Sequence, residues 1–218
     1  MPIEVDPGDM IGWHILRYGG VWEPETSWFC RDWLRPGMTF VDAGAHVGYY
    51  TLEPHPMLGQ VLRRNVGRAG RANVTVSPLA LGRAAGTAGL VLHTGDNHGA
   101  SSLRPDSRTA HLPRAQVEMT TLDDYLERDG VTTVDVLKLD VEGAELDVID
   151  GARRTLAASP GIVLVVEFLR ENARRFGRDL EALEARLRDL GFALFTLTQH
   201  GPRRYERART WSGHPPPA

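Results

Sequence analysis

Three short apolar runs constrain this chain more than any other feature: "MTFVDAG" at 38–44, "VDVLKLD" at 134–140 and "GIVLVVEFL" at 161–169. Each is of strand length and carries little or no polar alternation. Each also ends near a glycine or a carboxylate, the pattern of a parallel strand buried on both faces. Amphipathic stretches lie between and after them. Residues 56–70 place Leu58, Val61, Leu62 and Val66 on one stripe and stop at Gly70. Residues 142–156 read as one helix, and residues 179–191 put Leu180, Leu183, Leu187 and Leu190 in register. Strands alternating with such helices predict an α/β fold, a mostly parallel sheet with helices on both faces. Ligands of such sheets bind beyond the carboxyl ends of the strands. Chemistry is therefore expected at 42–48, 79–82, 140–145 and Glu167.

The remaining segments are weaker signals. Residues 1–23 show no clean period and read as an irregular arm or short strands. Residues 24–34 read as a short helix with Pro24 in its first turn and Trp28, Phe29 and Trp33 toward a core. "NVTVSPLALG" reads as a second strand and loop, and "GLVLHT" and "AQVEMTTL" as a half-exposed pair. "LDDYLERDG" reads as a short helix, and "FALFTLT" closes the strand series. The Gly/Ser/Pro-rich stretch 95–114 is long for a connection in a compact domain, a length that goes with function or disorder.

A net charge of −3 gives no electrostatic case for nucleic acid or an anionic membrane. No apolar stretch is long enough to span a bilayer and no secretory signal is present, so a soluble cytoplasmic protein is expected. Cys30 is the single cysteine, which excludes a disulfide framework within the chain and reads as a small buried apolar residue. Lys138 is the single lysine, read as a bias of genome composition rather than a demand of the fold.

"VDAGAHVG" has the form D-x-G-x-x-x-G. A dinucleotide turn holds pyrophosphate on backbone N–H groups at a helix N-terminus, and an aspartate there would repel it. A carboxylate suits a ligand with a cationic end, such as the ammonium of S-adenosylmethionine, while glycines let it approach the main chain. The bland alternative is a tight strand-to-helix turn. Glu53 fits a carboxylate accepting ribose hydroxyls, or a solvated residue before Pro54. In "DVLKLDVEGAELDVIDGA", Asp140 ends a buried strand and must be desolvated or functional. With Glu142 it could orient a hydroxyl and take its proton, ligate a divalent cation, or be structural. Glu145 and Asp147 are explained by the helix dipole alone.

Together "FVDAGAHVGYYTL", "EPHP", "NVTVSPLALG", "TTLDDYL" and above all "LKLDVEGAELDVIDGA" resemble the FkbM family of S-adenosylmethionine-dependent methyltransferases, from about Gly20 to Leu197. The resemblance implies a Rossmann-like class I methyltransferase fold over 37–210, after an arm with a short helix at 1–36 and before a disordered tail at 211–218. It implies methylation of a hydroxyl on a sugar, polyketide or other small molecule; no metal is assigned, and the sequence leaves room for a homodimer. It places Asp42, Gly44, Ala45, His46 and Gly48 in the cofactor turn. Glu53 becomes the ribose ligand with Pro54 beside it, and Ala80 and Leu81 lie near the adenine. Asp140 and Glu142 become the catalytic carboxylates bordering the acceptor. Asn97, His98, Ser101 and Glu167 are expected on the acceptor side, the first three in a loop suited to be a lid.

One departure from the family pattern stands out. Only four residues separate Gly48 from Glu53, and they reach about 14 Å fully extended. A parallel crossover needs a dozen or more. The rest of a first helix and a second strand are therefore expected to be missing, with "NVTVSP" moving in beside the first strand or a gap left in the sheet. Glu53 is expected on a loop either way, with the cofactor bound weakly or not at all.

Overall fold

The computed structural model describes residues 3–46, 52–93 and 97–205. The chain opens with α1 (Met10–Arg17) and α2 (Pro24–Trp33), then β1 (Phe40–Ala43) and α3 (Pro56–Ala69). Next come β2 (Ala80–Leu81), β3 (Gly86–Val91), β4 (Arg114–Thr120), α4 (Leu122–Arg128) and β5 (Val136–Leu139). The last part holds α5 (Glu145–Asp150), α6 (Arg153–Ala158), β6 (Val163–Val166), α7 (Arg170–Arg175), α8 (Leu180–Asp189), β7 (Phe195–Thr196) and β8 (Arg203–Arg204).

The three apolar runs are the three strands of one parallel sheet, ordered β1-β5-β6. Their register aligns Ala43, Leu139 and Val166. The residues that follow, Gly44, Asp140 and Glu167, therefore emerge side by side at the carboxyl edge. All four residues of β5 are buried, as a central strand covered on both faces requires. Val148, Ile149, Leu183 and Leu187 pack against it in the main core, which places α5 and α8 on the sheet. The half-exposed pair is also present: β3 and β4 run antiparallel, with the short β2 parallel to β4 on its other side.

Where a second strand was expected to be missing, one residue takes its place. Leu52 forms parallel bridges to Ala43 on one side and Ser77 on the other. Its N–H donates to Asp42 O at 2.9 Å, its carbonyl accepts from Gly44 and Ala45 at 2.9 and 3.0 Å, and Glu53 N–H donates to Ser77 O at 3.1 Å. Among the described residues, 73–78 do not pair with β1 directly, and Ser77 reaches it only through Leu52. A buried leucine thus gives partners to the Asp42 carbonyl and to the Gly44 and Ala45 N–H groups at the edge of β1.

Other expectations are corrected. The N-terminal arm contains a helix, α1, capped by Asp9, which accepts from Ile11 N and Gly12 N. Its Ile11 and Ile15 pack on Leu58 of α3. Trp28 and Trp33 are exposed at 38 % and 47 %, so of the three aromatics only Phe29 packs inward, beside the buried Cys30. The helix expected at 142–156 is two, α5 and α6, broken at Gly151 and Ala152. Among the described residues, the closing strand β7 pairs only with β8, in a separate ribbon. The tail at 211–218 lies outside the described residues. No helix among those described is long and apolar enough to cross a membrane.

Candidate active site

A cavity of about 290 Å³ lies at the carboxyl edge of the parallel sheet. Its wall includes Gly44, Ala45, His46, Glu53, Pro54, Ala80, Leu81, Asn97, His98, Ser101, Asp140, Glu142 and Glu167. The strand register explains part of this convergence, and the loops after β1, β5 and β6 supply the rest. One described residue expected in the cofactor turn, Asp42, is not in the wall. Gly48 lies outside the described residues. Asp42 is fully buried, and its nearest cation is Lys138, whose Nζ is 3.8 Å from Asp42 Oδ1. An aspartate in β1 points to one face of the sheet and is covered there, so it offers no open carboxylate to a ligand.

The turn after β1 is shaped by contacts that demand glycine. Gly44 has φ +90°, and a Cβ at that position would collide with the Asp140 carbonyl oxygen. Among the described residues, three other than glycine have φ in the left-handed region: Glu23 (+46°), His46 (+50°) and Glu142 (+54°). All three line the cavity. Backbone strain of this kind costs on the order of 1–3 kcal/mol per residue and gathers at binding sites.

Glu53 lies outside any strand, as expected, but it is held firmly. It follows the Leu52 bridge directly and is 7 % exposed. Oε2 accepts His46 N–H and Oε1 accepts His55 N–H, each at 2.8 Å. Burial lifts its carboxyl to about 7, against the pull of those two N–H groups. His55 caps α3 through Nδ1, which accepts weakly from Met57 N and Leu58 N. Burial holds both His46 and His55 down to about 4, so they are neutral near pH 7.

At the other end, oxygens of Asp140, Glu142 and Glu167 converge within 4.8 Å. That spacing would suit a divalent cation, but side chains already meet an oxygen of each. Lys138 Nζ donates to Asp140 Oδ2 at 3.2 Å. Asn172 Nδ2 donates to Glu142 Oε2 at 2.9 Å and to Glu167 Oε2 at 3.1 Å. Arg175 Nη1 lies 3.7 Å from Glu142 Oε2. Burial, with Asp140 close by, raises Glu142 to about 7 and Glu167 to about 9. Glu145 serves the backbone instead, because its Oε1 accepts from Val141 N and Gly143 N and so fixes the turn that carries Glu142.

Sequence reasoning missed several contributors. Ile11, Ile15 and Trp22 form an apolar part of the wall. Asp9 fastens that part in place, because Oδ1 also accepts His98 N–H at 2.8 Å. The pattern "DPGDM" carries an N-cap signal that could have revealed α1. Asn172 had no such signal. Lys138, to which no role was given, is 4 % exposed and lines the cavity.

A family model described as the methyltransferase FkbM domain matches residues 30–194, a span that includes β1, the strand ends and the carboxylate cluster. No curated protein and no solved structure matches the chain.

Proposed function

Because the chain belongs to the FkbM methyltransferase family, we propose that it moves a methyl group from S-adenosylmethionine to a hydroxyl of a small molecule such as a sugar or polyketide. The observation that carries this reading is the shared cavity. Glu53 stands at one end of it and the Asp140, Glu142 and Glu167 carboxylates at the other.

The residues present fit the cofactor. Each Glu53 oxygen accepts one backbone N–H and keeps a second lone pair, enough for the two hydroxyls of a ribose. Leu52, Pro54, Leu79, Ala80 and Leu81 give an apolar slot for a base, and the Gly44 turn lets a ligand reach the main chain. When bound, S-adenosylmethionine supplies a methyl group on a positively charged sulfur, suited to a wall rich in carboxylates.

The chain itself must hold the acceptor oxygen in line with the methyl group and exclude water, because positioning supplies much of the rate. A carboxylate at the strand edge, Asp140 or Glu142, receives the hydroxyl proton as the new carbon–oxygen bond forms. Asn97, His98 and Ser101 border the space left for the acceptor.

Calorimetric titration with S-adenosylmethionine tests the reading. Micromolar affinity is expected, with a loss of roughly tenfold or more in Glu53→Ala, the worth of one hydrogen bond to a charged group. Absence of binding, or an unchanged affinity in Glu53→Ala, would overturn it.

A further inference from the structure

Lys138 occurs once in the chain and the mechanism above does not use it. It is a Cα partner of Asp42 in the parallel register, so the two side chains share a face of the sheet. Asp140, two residues on, shares that face. Lys138 Nζ therefore stands between them, 3.8 Å from Asp42 Oδ1 and 3.2 Å from Asp140 Oδ2. Glu23, which also lines the cavity, adds a third acidic neighbour. Burial alone would depress the lysine, but these carboxylates more than reverse it and keep the ammonium charged.

The three carboxylates of the cluster are therefore not equivalent. Glu142 and Glu167 share the single Asn172 amide. Asp140 accepts a hydrogen bond from a buried ammonium at 3.2 Å, whereas the Arg175 guanidinium stands 3.7 Å from Glu142. We propose that Lys138 is a positioning residue: it fixes one oxygen of Asp140 and leaves the other to receive the acceptor's proton, which makes Asp140 rather than Glu142 the base. This rests on the methyl-transfer reading. The hydroxyl oxygen bonds the methyl carbon, its proton passes to Asp140, and the carbon–sulfur electron pair departs with sulfur.

A single lysine makes the test direct. Tag-free protein grown on lysine labelled with carbon-13 at Cε gives one side-chain lysine signal in a proton–carbon correlation spectrum. Asp140→Asn displaces that signal, whereas Glu142→Gln and Glu167→Gln leave it in place. Asp140→Glu, which keeps the charge and moves it, is the second variant should the first not fold, and it also displaces the signal. An unmoved signal in the Asp140 variants, or an equal displacement in Glu142→Gln, overturns the proposal.

Transfer of labelled methyl from S-adenosylmethionine to a pool of methyl glycosides and cyclohexanol adds the functional readout. Asp140→Asn loses a hundredfold or more and Glu142→Gln less than tenfold, and the reverse order also overturns the proposal. Failure of the wild-type chain to bind S-adenosylmethionine in calorimetry instead sinks the methyl-transfer reading, a result independent of the lysine signal.

Discussion

Asp9 Oδ1 accepts the backbone N–H of His98 at 2.8 Å, a bond between positions 89 residues apart. The other oxygen of the same carboxylate caps α1. One buried side chain thus holds the N-terminal helix and the 97–101 turn against the cavity together. Asp9→Ala removes a helix cap, worth about 1 kcal/mol, and a bond to a charged acceptor, worth about 1.5–3 kcal/mol. The variant should lose roughly 2–4 kcal/mol in urea unfolding, with faster hydrogen exchange at Ile11, Gly12 and His98. A loss below about 0.5 kcal/mol would show that the carboxylate is not the fastener.

Gly44 is the position least able to accept a side chain. Its φ of +90° is unsuited to an L-residue and the Asp140 carbonyl occupies the space of a Cβ. Gly44→Ala should therefore destabilise by at least about 2 kcal/mol. Gly67→Ala, where a Cβ meets nothing, serves as the control. Thermal unfolding of the two variants checks the difference.

The Lys138 ammonium and the Asp42 carboxylate are both buried, so removal of one leaves the other without its charge partner. Lys138→Met should cost about 3–5 kcal/mol. The double variant Lys138→Met/Asp42→Asn should recover part of that, since the buried acid is then neutral. A double-mutant cycle by chemical denaturation measures the recovery, and strict additivity would show that the two do not interact.

Stability should fall as the pH is raised from 6.5 to 9. Glu53 and Glu142 are lifted from 4.5 to about 7 and Glu167 to about 9. A carboxyl that holds its proton more tightly when folded adds stability that is complete below 4.5 and is lost as the pH rises through its folded value. His46 and His55, lowered from 6.5 to about 4, act in the opposite sense: their contribution is complete above 6.5 and is lost as the pH falls through 4. Above pH 6.5 only the carboxyl effect of these five is still changing. Melting temperatures across that range check the direction, and Glu167→Gln should flatten the alkaline part.

Much of the sheet was legible in the sequence because burial on both faces leaves a strong mark. Val136, Leu137 and Leu139 had to be apolar, Val163 to Val166 are apolar though only half-buried, and the register of the two strands then dictated which carboxylates meet. The wall of the cavity followed from those strand ends. The parts that were not legible depend on single contacts. A helix of eight residues containing glycine, tryptophan and histidine has little intrinsic propensity, so α1 exists through the Asp9 cap and packing on Leu58. Asp42 looked like an open ligand because the pattern shows its residue type and not the lysine registered beside it. Glu53 looked loose because spacing alone cannot show that one leucine stands in for a strand.

That leucine has a further consequence. Through it, β1 is joined to the segment that leads into β2, and so to the sheet of β2, β4 and β3. Opening the Glu53 end of the cavity and parting the two sheets would be one event rather than two. An occupant of that end would act as a rivet, holding the halves of the molecule together through the same contacts that hold it.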